Sequence, residues 1–243
     1  QPGDTVAIMD WDSHRYLECF FAVPMMGAVL HTINIRLSTE QLLYTINHAE
    51  DDVILVNAEF LRVLEGVKDQ FETIKKIILL TDADDTPETS LAIEGEYETL
   101  LGKHNDGYNF PDLDENTRAT TFYTTGTTGR PKGVMSTYSV TAAMTQIQMA
   151  EWEFPEDLRM LIATPLSHAA AAFFIPVLQK GGAFYVMQGF SPDGFFDMVR
   201  DHRITCTMLV PIMLYFLLDS PRATDGSMNS METLFYGASP MSP

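Results

Sequence analysis

Long apolar runs are missing from this 243-residue chain. No stretch reaches the ~18–20 residues that a membrane span requires, and the two longest, around residues 19–30 and 169–178, are broken by proline or glycine. Positive charge is scarce as well: 15 Lys and Arg stand against 33 Asp and Glu, for a net charge of −18. The overall field repels a polyanion, so a nucleic-acid partner is not expected, and a phosphate ligand would need a local cradle. Cysteine is limited to Cys19 and Cys206, each inside an apolar segment and neither at a metal-ligand spacing. That favours two buried thiols in a reducing, cytoplasmic setting over a disulfide framework. There is no internal repeat and no low-complexity tract. An initiator methionine is also missing: the chain opens at Gln1-Pro2 directly before a strand-like run, and it reads as a fragment.

What is present alternates. Short β-rich runs at 6–9, 53–56, 74–80 and 118–124 are separated by helical patterns at 13–29, 38–48 and 59–68. The spacing of Ser38 and Gln41 predicts a capping box. The alternation repeats beyond residue 139: a helix to 151, strands at 160–163, 183–187, 204–210 and 234–236, and helices within 168–179 and from Ser191-Pro192 to about Arg203. A Pro211-led helix completes the series. Residues 81–90 and 102–116 read as polar connectors. Such a pattern predicts an α/β fold with largely parallel sheets and room for a sizeable core.

Residues 123–134, YTTGTTGRPKGV, concentrate glycine where it costs roughly 0.5–1 kcal/mol per residue relative to alanine. A Walker A loop does not fit: the position of its second glycine holds Pro131, and Lys132 is followed by Gly133 rather than a hydroxyl residue. The G-x-G-x-x-G pattern fails too. The chemistry still suits phosphate, because glycines let backbone N–H groups converge on an anion and threonine hydroxyls add donors or reach a metal ion. Arg130 and Lys132 supply the local positive charge. From composition alone, a flexible threonine-rich hairpin tip stays open as the alternative.

The segment matches [YF]-T-[ST]-G-[ST]-T-G-x-P-K-G-V at every position and so resembles the phosphate-binding loop of the adenylate-forming superfamily. That superfamily comprises acyl-CoA synthetases, peptide-synthetase adenylation domains and luciferases. Further likenesses run along the chain: residues 3–8 (GDTVAI), 26–29 (MGAV), 34–37, Thr164-Pro165-Leu166-Ser167-His168, Val210-Pro211 and residues 236–243 (YGASPMSP). The likeness is greatest to fatty-acyl-CoA and related acyl-CoA ligases. It implies the large N-terminal domain of these enzymes, two packed α/β sheets plus a small β-barrel. The first subdomain is expected over residues 1–150 and part of the second over 151–243, with the glycine loop and His168 flanking the seam between the sheets.

The resemblance also implies roles. Thr124, Thr125, Gly126, Thr127, Thr128, Gly129 and Lys132 would hold the β- and γ-phosphates of ATP, with Lys132 serving catalysis and Mg²⁺ bridging phosphate oxygens; no metal ligand of the protein is identified. His168 is expected to bind substrate where acyl group, phosphate and thiol meet, rather than to act as a base. Gly237, Ala238 and Ser239 would border nucleotide and acyl group, although Tyr236 replaces the first glycine of the usual pair. Residues 169–174 and the methionines, Met144 and Met149 among them, read as core. His14, His31, His48, His104 and His202 read as structural or exposed.

Residues 164–179 contain no acidic side chain, whereas amino-acid-activating relatives use an aspartate near there to pair with the substrate ammonium. A carboxylic acid without an α-amino group, such as a fatty acid, is therefore expected, with CoA as thiol acceptor. The family's Y-G-x-T-E segment, ribose-binding aspartate, hinge and C-terminal domain would follow residue 243. Residues 1–243 alone are thus expected to complete neither half-reaction. An adenylating enzyme that loads a carrier protein or uses oxygen, and a non-catalytic nucleotide-binding fragment, stay open. A homodimer is compatible with the resemblance, but no pattern sets the oligomeric state.

Overall fold

The computed structural model describes residues 1–83, 87–105, 107–124 and 129–241. The chain divides into two compact units, Gln1–Thr141 and Ala142–Pro243.

The first unit holds a sheet built from β1 (Thr5–Met9), β2 (Val29–Thr32), β3 (Val53–Asn57), β4 (Lys76–Leu80), β5 (Ile93–Glu96), β6 (Arg118–Thr124) and β7 (Lys132–Thr137). The strand order is β5-β4-β3-β1-β2-β6-β7. Every pairing is parallel except β6 with β7, an antiparallel hairpin in which Thr124 lies opposite Lys132. Helices α1 (His14–Met25), α2 (Thr39–Ala49), α3 (Leu61–Glu65) and α4 (Tyr97–Leu101) connect the parallel strands.

Helix α1 is shorter than the 13–29 pattern suggests. Pro24 sits in its last turn, and Gly27 at φ 83° turns the chain out of the helix, which leaves Val29 to open β2. Helix α2 begins as the spacing predicts, with Ser38 Oγ accepting from the Gln41 N–H at 3.3 Å. The reciprocal half of a capping box is replaced by a longer reach of the Gln41 side chain, described below. Leu42 and Ile46, one turn apart, press the helix onto Ala7, Met9, Ile54 and Val56 of the sheet. The helix ends at Glu50, which takes the left-handed conformation at φ 57°.

In the second unit a four-stranded parallel sheet has the order β11-β10-β8-β9. Its strands are β8 (Arg159–Ile162), β9 (Ala183–Val186), β10 (Cys206–Leu209) and β11 (Thr233–Tyr236). The helices are α5 (Tyr138–Glu151), which opens in the last residues of the first unit, α6 (Phe174–Gln179), α7 (Pro192–His202) and α8 (Pro211–Leu218). Ser191 Oγ accepts from the Gly194 N–H at 3.2 Å and Pro192 begins α7, as expected. Phe195, Phe196 and Val199 of α7 pack on Leu161 and Leu209. Phe173 is core, as predicted, with its ring 5.2 Å from Trp152 and 5.4 Å from Phe235. Met144 is a correction: it is exposed, because α5 buries Thr145 and Gln148 instead, and Met25, Met135, Met241 and Ala169 are exposed too. Two α/β sheets are therefore present, and among the described residues neither closes into a barrel. Cys19 and Cys206 are free and buried.

Candidate functional site

In open α/β sheets, ligands bind outside the carboxyl ends of parallel strands. Four of the segments singled out in the sequence sit at those ends. β6 runs into the glycine loop. In the second unit, residues 163–168 follow β8, Val210-Pro211 follow β10 and residues 237–239 follow β11. These are three adjacent strands, and the chain reverses its direction of growth between β8 and β10. A polar cavity of about 400 Å³ in the first unit, lined by Thr5, Asp52, Lys75 and Arg118, lies at the opposite, amino ends of the strands. On those grounds it is the less suitable place for a ligand.

Of the expected phosphate-binding residues, Thr124, Gly129 and Lys132 are described; Thr125, Gly126, Thr127 and Thr128 lie outside the described residues. Thr124 ends β6 and Lys132 opens β7, paired across the hairpin, and both are exposed. β6 and β7 therefore form an antiparallel hairpin, with the lysine at the start of its second strand. Gly129 has φ 88° and open space around the position of a Cβ. A side chain there would meet no clash among the described residues, but its backbone would be strained in the left-handed region.

Tyr123, the first residue of the motif, is 8% exposed and stacks against Gly133, where a Cβ would approach the ring to 3.4 Å. Its hydroxyl lies 2.8 Å from His48 Nδ1. Burial, with the nearby Asp51 charge as a second cause, pushes the Tyr123 hydroxyl well above the usual phenol range. Beneath it, His31 is buried with Nδ1 2.8 Å and 3.0 Å from the two carboxylate oxygens of Asp51. The two rings, His31 and Tyr123, are 5.2 Å apart. Desolvation raises the Asp51 carboxyl, and His31 opposes that shift. This buried pair is the feature the sequence hid: His31 lies in a strand with no alternation to mark it, and Asp51 is one acid in a run of three.

In the second unit, His168 is exposed and precedes the short 3-10 helix Ala169–Phe173, with Ser167 Oγ 2.7 Å from its Nδ1. The Gly237 N–H donates to the Leu209 carbonyl at 3.3 Å, which carries the strand pairing one residue past β11. Ala238 then takes φ 67°, a left-handed alanine at the end of a parallel strand. Such a conformation costs of order 1–3 kcal/mol and concentrates at ligand sites. Among the described residues no group of three or more His, Cys, Asp or Glu could hold a metal ion. No helix there is long and apolar enough to cross a membrane.

The family model for AMP-binding enzymes matches residues 1–243. The chain belongs to the AMP-binding enzyme family. Over 121 residues it is 52% identical to a medium/long-chain-fatty-acid–CoA ligase of Mycobacterium tuberculosis, a match covering 50% of this chain and 21% of that protein. It is 30% identical over 242 residues to a medium-chain-fatty-acid–CoA ligase of Ectopseudomonas oleovorans, covering 98% of this chain and 44% of the relative. The chain thus spans less than half the length of these curated relatives. Among solved structures, ATP-bound MatB from Rhodopseudomonas palustris superposes with a TM-score of 0.81 at 23% identity, over 99% of this chain and 46% of that one. The inhibitor-bound N-terminal domain of FACL13 from M. tuberculosis gives 0.82 at 21% identity, over 99% and 58%. At these identities the structures establish the shared fold of this AMP-binding enzyme, the two-sheet N-terminal domain of acyl-CoA synthetases.

Proposed function

We propose that this chain is the nucleotide- and acid-binding part of an ATP-dependent acid–thiol ligase. A carboxylate oxygen attacks the α-phosphorus of ATP, the bond to the bridging oxygen breaks, and pyrophosphate leaves. The thiol sulfur of CoA then attacks the acyl carbon and displaces AMP. The observation that carries this reading is the YTTGTTGRPKGV loop at the carboxyl end of β6, in a chain matched from end to end by the family model.

Little covalent chemistry falls to the protein; positioning and charge neutralisation supply the rate. We assign residues 124–129 and Lys132 to the β- and γ-phosphates, and Gly237, Ala238 and Ser239 to the border between nucleotide and acyl group. His168, exposed beyond β8, is assigned to the acid substrate. Magnesium enters bound to ATP as part of the substrate. A fatty acid is supported by the absence of acidic side chains from 164–179 and by the names of the relatives. The buried free thiols support a reducing, cytoplasmic setting.

Carboxylate-dependent exchange of labelled pyrophosphate into ATP, run on the intact protein with a panel of acids, tests the reading. Exchange with fatty acids is expected. Lys132→Ala should lower kcat/KM for MgATP about 10- to 100-fold, the worth of one hydrogen bond to a charged group. No exchange with any acid, in a folded protein, would refute ligase activity.

A further inference from the structure

Helix α2 turns two faces to its surroundings. Leu42, Ile46 and Ala49 enter the core, while Gln41, Tyr44 and His48, spaced three and four residues apart, form a second stripe. Each member of that stripe meets the glycine-loop hairpin. Gln41 Nε2 donates to the Gly129 carbonyl at 3.4 Å. The Arg130 guanidinium carbon stands 5.6 Å above the centre of the Tyr44 ring. His48 Nδ1 contacts the Tyr123 hydroxyl at 2.8 Å. The Tyr44 and His48 rings are themselves 5.1 Å apart. Just past the end of α2, Asp51 fixes His31 beneath Tyr123.

We propose that Gln41, Tyr44 and His48 are positioning residues that brace both limbs of the glycine loop against α2. The inference rests on the phosphate-binding reading of that loop. The N-terminal half of the stripe holds the outgoing limb at Gly129 and Arg130, and its C-terminal end holds the incoming limb at Tyr123. A trans peptide points its C=O and N–H in opposite directions. Tying the Gly129 carbonyl to Gln41 therefore turns the Arg130 N–H away from α2 and leaves it available to an anion. Arg130 is engaged by Tyr44, so Lys132 carries the phosphate-binding charge.

Two readouts on the intact protein separate the brace from the reading it rests on. The first is amide hydrogen exchange at Gly129, Arg130, Lys132, Gly133 and Val134 without nucleotide, together with thermal midpoints. Gln41→Ala and Tyr44→Leu should speed exchange about 3- to 10-fold, the loss of a hydrogen bond or cation–π contact, with a midpoint lowered by only about 2–4 °C. Tyr44→Phe, which keeps the ring, should restore the slow rate. The second is MgATP affinity: both variants should raise KM for MgATP 3- to 10-fold with kcat little altered. Wild-type exchange and KM in Gln41→Ala and Tyr44→Leu, with Lys132→Ala still defective, would overturn the brace and leave the loop's role standing. If Lys132→Ala also bound MgATP like wild type, the phosphate-binding reading would fall, and the brace's part in catalysis with it.

Discussion

Cys19 is 3% exposed and Cys206 is fully buried. Burial pushes both thiols up to about 12, from an ordinary value of 9.0. The thiolate is the reactive species, so neither should react in the folded state. At pH 8 a disulfide reagent should label no thiol in native protein and two in urea; rapid native labelling would contradict their burial. The same shifts set an alkaline limit. An unfolded thiol loses its proton near pH 9 and the folded one near pH 12, so the unfolded chain binds fewer protons in between. The stabilisation due to these thiols is complete below pH 9 and is lost as pH rises through about 12. A urea midpoint that stayed level across that window would refute it. These burials were legible from residue type and apolar neighbours, whereas the His31–Asp51 pair was not, because its partners lie 20 residues apart on either side of α2.

Helix α7 owes its start to chemistry visible in the sequence. Ser191 supplies the acceptor for an otherwise unpaired N–H, and Pro192 fits a first turn that needs no donor there. Ser191→Ala should cost about 1 kcal/mol, read as a lower urea midpoint at constant slope; no change would show that the cap is redundant. Caps of this kind, and short β-rich runs such as Ile204 to Leu209, made most elements predictable. The elements that escaped share a different physics. β2 is buried at all four positions and so has no alternation to betray it. β5, IEGE, is a charged strand with glycine at the sheet edge, and β7 holds Lys132 and Gly133 in an exposed edge position. Edge strands are selected for blunted pairing rather than for β propensity. The glycine-loop hairpin was marked in the sequence by a contiguous motif. Its support from α2 was not, since a stripe of Gln, Tyr and His at helical spacing is indistinguishable from a solvated face until the hairpin is laid beside it.

At the scale of the molecule, the net charge of −18 opposes an anionic nucleotide. Like-charged partners associate faster as salt screens them, the reverse of electrostatic steering. The association rate of residues 1–243 for MgATP should therefore rise severalfold between 10 mM and 300 mM salt; a falling rate would mean that the local field of the loop prevails over that of these residues as a whole. The strand order β5-β4-β3-β1-β2-β6-β7 has a consequence for biosynthesis. The three central strands, with α2 between the second and third of them, are all complete by Asn57, while the hairpin that carries the loop ends only at Thr137. On the ribosome, the inner sheet and the helix that flanks the loop emerge some eighty residues ahead of it. The glycine-loop hairpin is thus added to a finished edge, so that during synthesis the template exists before the part it shapes.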